Sequence, residues 1–530
     1  MIEKISANSV NINKRPSKNG PQFTGLTDGL LTVIQSCERN PMVNVAVLDL
    51  STAIVPRTIV EGQTNPYAGL EAFRREASGL IINCMIPGLI VAGIAKTIAK
   101  PLMGHKTSMG SSLANEETIK KVTEYWNKTK GTDEERVRET IETILNDTHG
   151  ADENGLKSFK DFAKGDGFKE SIDKLTKQVL GDKISDKEIK EAYKAIIEKT
   201  HITEKIKIAN PKDIGAVKEY MSQNLDAVVK NTPKILRELI NGGNVEDFTK
   251  NATRLVNTKS ILGLGIILPL AIAAQPINRW LTARSSGKKG APIYKDFAES
   301  KNQELTAKEK AALTRQKFIS VGSMIGVAML SMMRRPDKAM LKELTQFKGL
   351  FPTMEQARLI STATFASRMV ASEDKNDLRE ATVRDIATFS SFYFLGDYVA
   401  KGIATLIQKV KPEIKLINVL KEPEEGAHAL KRFWNWAKHT AIKSSDEVVG
   451  KQAQKMRAIC QLGNIAFSLI ALGIVIPKMY RGQTDKRREE ELKNMGVDQK
   501  TIDKFYPHFM KNDPNFASKK NVYGEFFTLK

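Results

Sequence analysis

Apolar residues are spread unevenly along this chain of 530 residues and collect in runs with little or no charge. Three runs are long: Ala77–Ala95 and Ser260–Asn278, of 19 residues each, and Ala458–Pro477, of 20, all without Asp, Glu, Lys or Arg. As an α-helix a run of that length rises roughly 30 Å, the thickness of a bilayer's hydrocarbon core. Phe318–Met333 is shorter at 16 uncharged residues, but Lys317 and Arg334 at its ends can snorkel to an interface. Ile386–Ile407 is apolar apart from Asp397 and Lys401, and Leu359–Ala371 apart from Arg368. Met42–Val55, apolar apart from Asp49, is too short to span and reads as a buried or interfacial helix ended by Pro56.

Between these runs the periodicity is helical. Within residues 102–253, Thr132 and Glu135 have the spacing of a capping box, as do Ser185 and Glu188. Ile184 and Ile189 flank the second start at the spacing of a hydrophobic staple. No alternating pattern of useful length marks a strand. The expected fold class is all-α, with about four (three to five) transmembrane helices and helical soluble regions. The expected organisation is an N-terminal segment with short interfacial helices (1–76), a membrane helix (77–101) and a charge-balanced helical domain (102–253). A membrane hairpin (254–333), a mixed amphipathic region (334–457), a membrane helix (458–477) and a basic tail (478–530) follow. Whether 386–407 spans is left open.

Composition sharpens this picture. The hydrophobic fraction is 41% and the mean hydropathy −0.31, too polar for a compact multi-pass transporter, so a few membrane helices should carry large water-soluble segments. The net charge of +21 is unevenly placed. Residues 102–250 hold 26 Lys/Arg against 27 Asp/Glu, whereas residues 251–530 hold 46 against 27. The excess accompanies the apolar runs, so anionic lipid headgroups are the expected partner and nucleic acid is not. The first 25 residues lack an apolar core, so insertion is expected to use an internal segment. The excess of Lys over Arg points to a bacterial source, and with the apolar runs to the bacterial inner membrane. The loop 279–317, with 10 Lys/Arg against 4 Asp/Glu, is expected on the cytoplasmic side, which places residues 102–253 outside.

Reaction chemistry is hard to find. Phosphate-loop, dinucleotide and nucleophile-elbow patterns are missing. His428 and His439 are 11 residues apart without a carboxylate pattern, and Cys37, Cys84 and Cys460 are scattered. Residues 150–161 resemble a calcium loop with a ligandless Gly150 in first place, and read as a solvated turn. No enzyme activity, cofactor or metal is expected. Asp397 and Lys401, at i and i+4, are the candidate intramembrane ionisable pair. Trp280, Trp434, Trp436 and Tyr480 are candidate interfacial anchors, the second and third on a basic amphipathic stretch, 427–443. Three readings compete: a non-enzymatic scaffold or tether in a bacterial envelope; a transporter or channel component using Asp397 and Lys401, with Asp49 beside them; and a soluble or phage-like structural protein with apolar core helices.

Overall fold

The computed structural model describes residues 41–506 apart from short internal stretches, chiefly 159–165, 193–204, 210–219, 333–343, 420–427 and 444–447. The candidate N-terminal helix Leu26–Gln35 and the end of the basic tail lie outside the described residues.

The fold is helical, as the periodicity demands. Helices α1 (Pro41–Leu48) and α2 (Val55–Gly62) lead into α3, which spans Pro66–Met103. Asn65 caps α3, its Oδ1 accepting from the Ala68 N–H, with Pro66 in the first turn. Four helices follow: α4 (Glu116–Lys128), α5 (Asp133–Asn146), α6 (Asp166–Leu180) and α7 (Leu225–Asn241). They share one core, including Trp126, Ile141, Leu175 and Leu236, with the C-terminal end of α3 and the first turns of α8 (Val245–Ser286). The Thr132 box forms as expected: Glu135 accepts from the Thr132 N–H at 2.9 Å. The Ser185 box forms by half, because Gln178 takes both the Ser185 N–H and the Glu188 carboxylate. This region also holds strands the periodicity did not show: β1 (Thr148–Asp152), β2 (Gly155–Ser158), β3 (Lys205–Ala209) and β4 (Tyr220–Asn224), in the order β2-β1-β3-β4 and antiparallel. Each has four or five residues, too few to display a period. The calcium-like stretch is the β1–β2 hairpin, with Asp152 opposite Gly155.

The rest of the chain is a bundle: α9 (Ala307–Met332), α10 (Met354–Val370), α11 (Lys375–Ser390), α12 (Gly396–Val410), α13 (Ala429–His439), α14 (Lys451–Ile470), α15 (Ile476–Asn494) and α16 (Gln499–Phe505). A two-stranded pairing, β5 (Ile417–Val419) with β6 (Thr440–Ile442), brackets α13. Among the described residues three helices are long and apolar enough to cross a membrane: Pro66–Met103, Val245–Ser286 and Lys455–Asn494, the last formed by α14 and α15 together. Of their apolar windows only 28%, 33% and 39% is buried, so protein does not wrap them. Ile81, Leu89, Ile261, Ile272, Ile470 and Ile474 stand among the exposed side chains. The fourth expected span is not among these three. Helix α9 does carry an exposed apolar face (Phe318, Ile319, Leu330), but it does not close a hairpin on α8. Helix α10 packs against both arms.

Among the described residues four π-turns interrupt the helices, at Asp49–Ile54, Ile81–Met85, Ser391–Leu395 and Ala471–Val475. Pro56, Pro87 and Pro477 each follow one within two residues. Proline lacks an N–H and crowds the carbonyl four residues back, and a widened turn relieves that crowding.

Helices α3 and α8 are in close contact. A Cβ built on Gly263 would lie 2.5 Å from Val91 Cγ2, whereas Gly265, two positions on, faces open space. Gly263→Val should therefore destabilise the bundle by about 1–3 kcal/mol through overpacking, while Gly265→Ala should leave thermal unfolding in detergent unchanged or slightly raised.

Candidate functional site

The uncharged runs are bounded by charge, and the fold brings one end of each run into a single layer. Glu71, Arg75 and Glu76 precede the first run, Arg279 follows the second, and Arg481 follows the third. Because α8 returns alongside α3 and α15 emerges beside them, these residues meet α2, α10 and α11. Arg75 donates to Glu61 at 2.7 Å and to Glu76 at 2.9 Å, and Arg57 reaches Glu76 at 3.2 Å. Arg481 lies 2.9 Å from Glu61 and 3.4 Å from Glu380. Arg368 and Arg384 share Asp385 Oδ1 at 3.3 and 2.9 Å. Arg279 bridges Glu71 at 3.0 Å and Asp377 at 2.8 Å. Hydroxyls complete the layer: Tyr480 donates to Glu61 at 2.9 Å, Thr484 to Glu380 at 2.8 Å, and Thr388 accepts from Arg57 at 2.5 Å.

Six arginines thus face six carboxylates, and nearly all are buried. Moving one such ion out of water costs several kcal/mol. Only dense pairing offsets that, and here the guanidinium forks supply it.

A seventh carboxylate stands apart. Asp49 opens the first π-turn, and among the described residues no hydrogen bond or ion pair is made to it. It lines a small cavity of about 30 Å³ with Glu76, Arg368, Asn83, Cys84, Ser361 and Tyr393. Cys84 and Tyr393 lie in the second and third π-turns, so three of the four converge here. Tyr393 is bonded to Ser361 at 2.8 Å, and Arg358 donates to the Tyr393 carbonyl at 3.1 Å. A polar cavity of that size has room for water.

The expected ionisable pair is placed elsewhere. Asp397 and Lys401 both lie on α12, but Lys401 Nζ donates to the Ala437 carbonyl at 2.9 Å and stands 4.9 Å from the Trp436 ring centre. Asp397 itself is exposed, with Arg358, Arg457 and Lys401 as its charged neighbours. Asp49 answers to a different set, Glu76, Arg57 and Arg368. The four expected anchors divide. Trp280 and Trp434 are exposed, at 57% and 60%. Trp436 is half-buried and donates to Thr405 Oγ1 at 3.1 Å. Tyr480 is a correction: it is 2% exposed, and its hydroxyl serves Glu61 instead of an interface. The aromatic–basic ending of a membrane helix does not reveal whether its face turns to lipid or to the bundle. The arginine layer has one signal in the sequence, the charged residues that close each run.

On the layer's outer side, loop 287–306 is clasped by the tail. Arg481 donates to the Ile293 carbonyl at 2.8 Å, Arg488 pairs with Asp296 at 2.9 Å, and Tyr506 donates to Asp296 at 3.2 Å. Asp374 caps α11 by accepting from the Asn376 and Asp377 N–H groups, and its other oxygen accepts from Tyr294 at 3.2 Å. Burial, with Asp377 nearby, raises the Asp374 carboxyl above its usual range.

Two outcomes are expected. Glu61→Ala leaves Arg75, Arg481 and Tyr480 without their shared acceptor and should cost about 3–5 kcal/mol, whereas Glu124→Ala, which breaks an exposed pair with Lys128, should cost under about 1; chemical denaturation in detergent measures both. For Asp374 the raised folded-state value means that its contribution is fully present below the unfolded carboxylate value, near 4, and is lost as pH rises through the folded one. Asp374→Asn keeps the cap, so its stability relative to wild type should improve as pH increases from about 4; a constant difference would contradict this. No family model, curated protein or solved structure matches this chain.

Proposed function

We propose that this protein is a non-enzymatic integral membrane scaffold. Three apolar helices anchor it, the arginine–carboxylate layer locks them at one end, and the domain built on residues 102–256 is held at the other. The observation that carries this reading is the exposure of the apolar windows: helices of spanning length present most of their apolar surface outward. In water so large an apolar surface would drive aggregation; in lipid it is solvated. The aromatic residues support the same geometry. Exposed Trp280 lies at the arginine end, beside Arg279, and exposed Leu430, Phe433 and Trp434 lie on α13 near the opposite end, where Arg457 precedes the third run. Such belts suit the two headgroup layers of one bilayer. Anionic headgroups on the basic flanks and a bacterial inner membrane complete the proposal.

A second reading, a transporter or channel component, is supported by Asp49 in its small cavity. The separate surroundings of Asp49 and Asp397 weigh against a shared path. Reconstituted vesicles would decide: a proton or cation flux abolished by Asp49→Asn favours it, and no flux in the wild type ends it.

The scaffold reading predicts that alkaline carbonate leaves the protein in the membrane pellet, and release without detergent overturns it. It also predicts sidedness. In a Cys37→Ser background, Lys120→Cys should react with an impermeant maleimide in intact spheroplasts, and Lys486→Cys only after lysis. Equal labelling of both before lysis would remove the spanning arrangement.

A further inference from the structure

On the outer face of the bundle, at the level of the arginine layer, a groove of about 320 Å³ opens between α9, α11 and α15. Ile319, Leu378 and Val383 give it an apolar strip, beside which the polar side chains of Gln316, Ser320, Thr382 and Gln483 and the guanidiniums of Arg379 and Arg487 complete the lining. Neither arginine comes within ion-pair distance of a carboxylate among the described residues, in contrast to the six paired arginines of the layer beneath. Two further observations set its depth. Arg279 pairs with Asp377, one residue before Leu378, so exposed Trp280 shares this level. On α9, Lys317 donates to the Val370 carbonyl at 2.8 Å, and the exposed Phe318 and Ile319 then begin the outward apolar face. The groove therefore opens where headgroups meet acyl chains, with its apolar strip continuous with the lipid-facing side of α9.

We propose that this groove is a binding site for an anionic phospholipid, the phosphate held between Arg379 and Arg487 and the upper acyl chain lying on Ile319, Leu378 and Val383. The inference rests on the membrane reading above. Guanidinium forks match phosphate oxygens, and at the edge of a low-dielectric layer that match is stronger than in water. Carboxylates are the natural competitors for arginine: Glu380 is held by Arg481 and Thr484, and Asp377 by Arg279, while the exposed Glu490, three residues after Arg487, makes no ion pair with it. A zwitterionic headgroup brings its own cation to the two arginines and gains less. Free phosphate lacks the chain that the apolar strip receives.

The test uses the full chain in detergent micelles, titrated with phosphatidylglycerol or phosphatidylcholine and read by lipid retention in native mass spectrometry. Wild type should retain phosphatidylglycerol preferentially, with no competition from inorganic phosphate. The double variant Arg379→Gln/Arg487→Gln should lose about tenfold in retention. Val383→Trp, which fills the groove and keeps both charges, should lose a similar amount. Lys169→Gln/Lys177→Gln, two exposed lysines on α6 of the charge-balanced domain, should change nothing. Equal retention of the two lipids by wild type, or unchanged retention in both groove variants, would overturn the proposal. Competition by phosphate would also overturn it, leaving an anion site only. These failures differ from release by carbonate, which would remove the membrane reading first.

Discussion

Desolvation of charge is the constraint from which the rest of this structure follows. Six guanidiniums and six carboxylates are packed where three apolar helices end, and no single pair among them would be favourable in isolation. Each ion is tolerable because its neighbours are in place, and so the layer behaves as a unit. Glu61 illustrates this: its two oxygens serve Arg75 from α3 and Arg481 from α15, and Tyr480 adds a third donor. Helices distant in sequence are thereby tied at one level. The apolar contact of α3 with α8 at Gly263 has no comparable directionality. Hydrophobic contact would let these helices slide; the arginine forks set their register.

The layer also explains the asymmetry of the molecule. At the arginine end, short polar segments are pinned: loop 287–306 by the tail, and the start of α11 by Asp374 and Tyr294. At the other end, α3 and α8 continue into the separate core of the 102–256 domain, which contributes no residue to the layer. Two polar assemblies are thus held apart by helices whose outward surface is apolar. Arg379 and Arg487 of the α9–α11–α15 groove, outside the layer, pair with no carboxylate among the described residues, while Asp377 and Glu380 are engaged within it.

The π-turns connect the layer to a carboxylate that pairs with none of the described residues. Wide turns next to Pro56 and Pro87 shift the helical phase, and at Asp49 and Cys84 they face a shared cavity instead of a packed interface. Asp49 adds a carboxylate to a layer already balanced without it. This is the position at which local consistency fails, and such positions are where function concentrates.

Helix content, the three long spans and the Thr132 capping box were legible in the sequence, because each depends on residues close together along the chain. Length and lack of charge suffice to mark a 20-residue apolar helix. The strands of four or five residues were not legible, being too short for a period to appear. Nor was the facing of any side chain at a helix end. Tyr480 and Trp280 occupy equivalent positions after apolar runs, yet one serves Glu61 in the interior and the other is exposed. The difference is decided by which helix packs alongside, a long-range property. Likewise Arg368 and Asp49 read as isolated charges in otherwise apolar runs. Only the tertiary structure decided that Arg368 joins five other arginines while Asp49 stays unpaired, because desolvation acts on a charge's spatial neighbours and not on its neighbours in sequence.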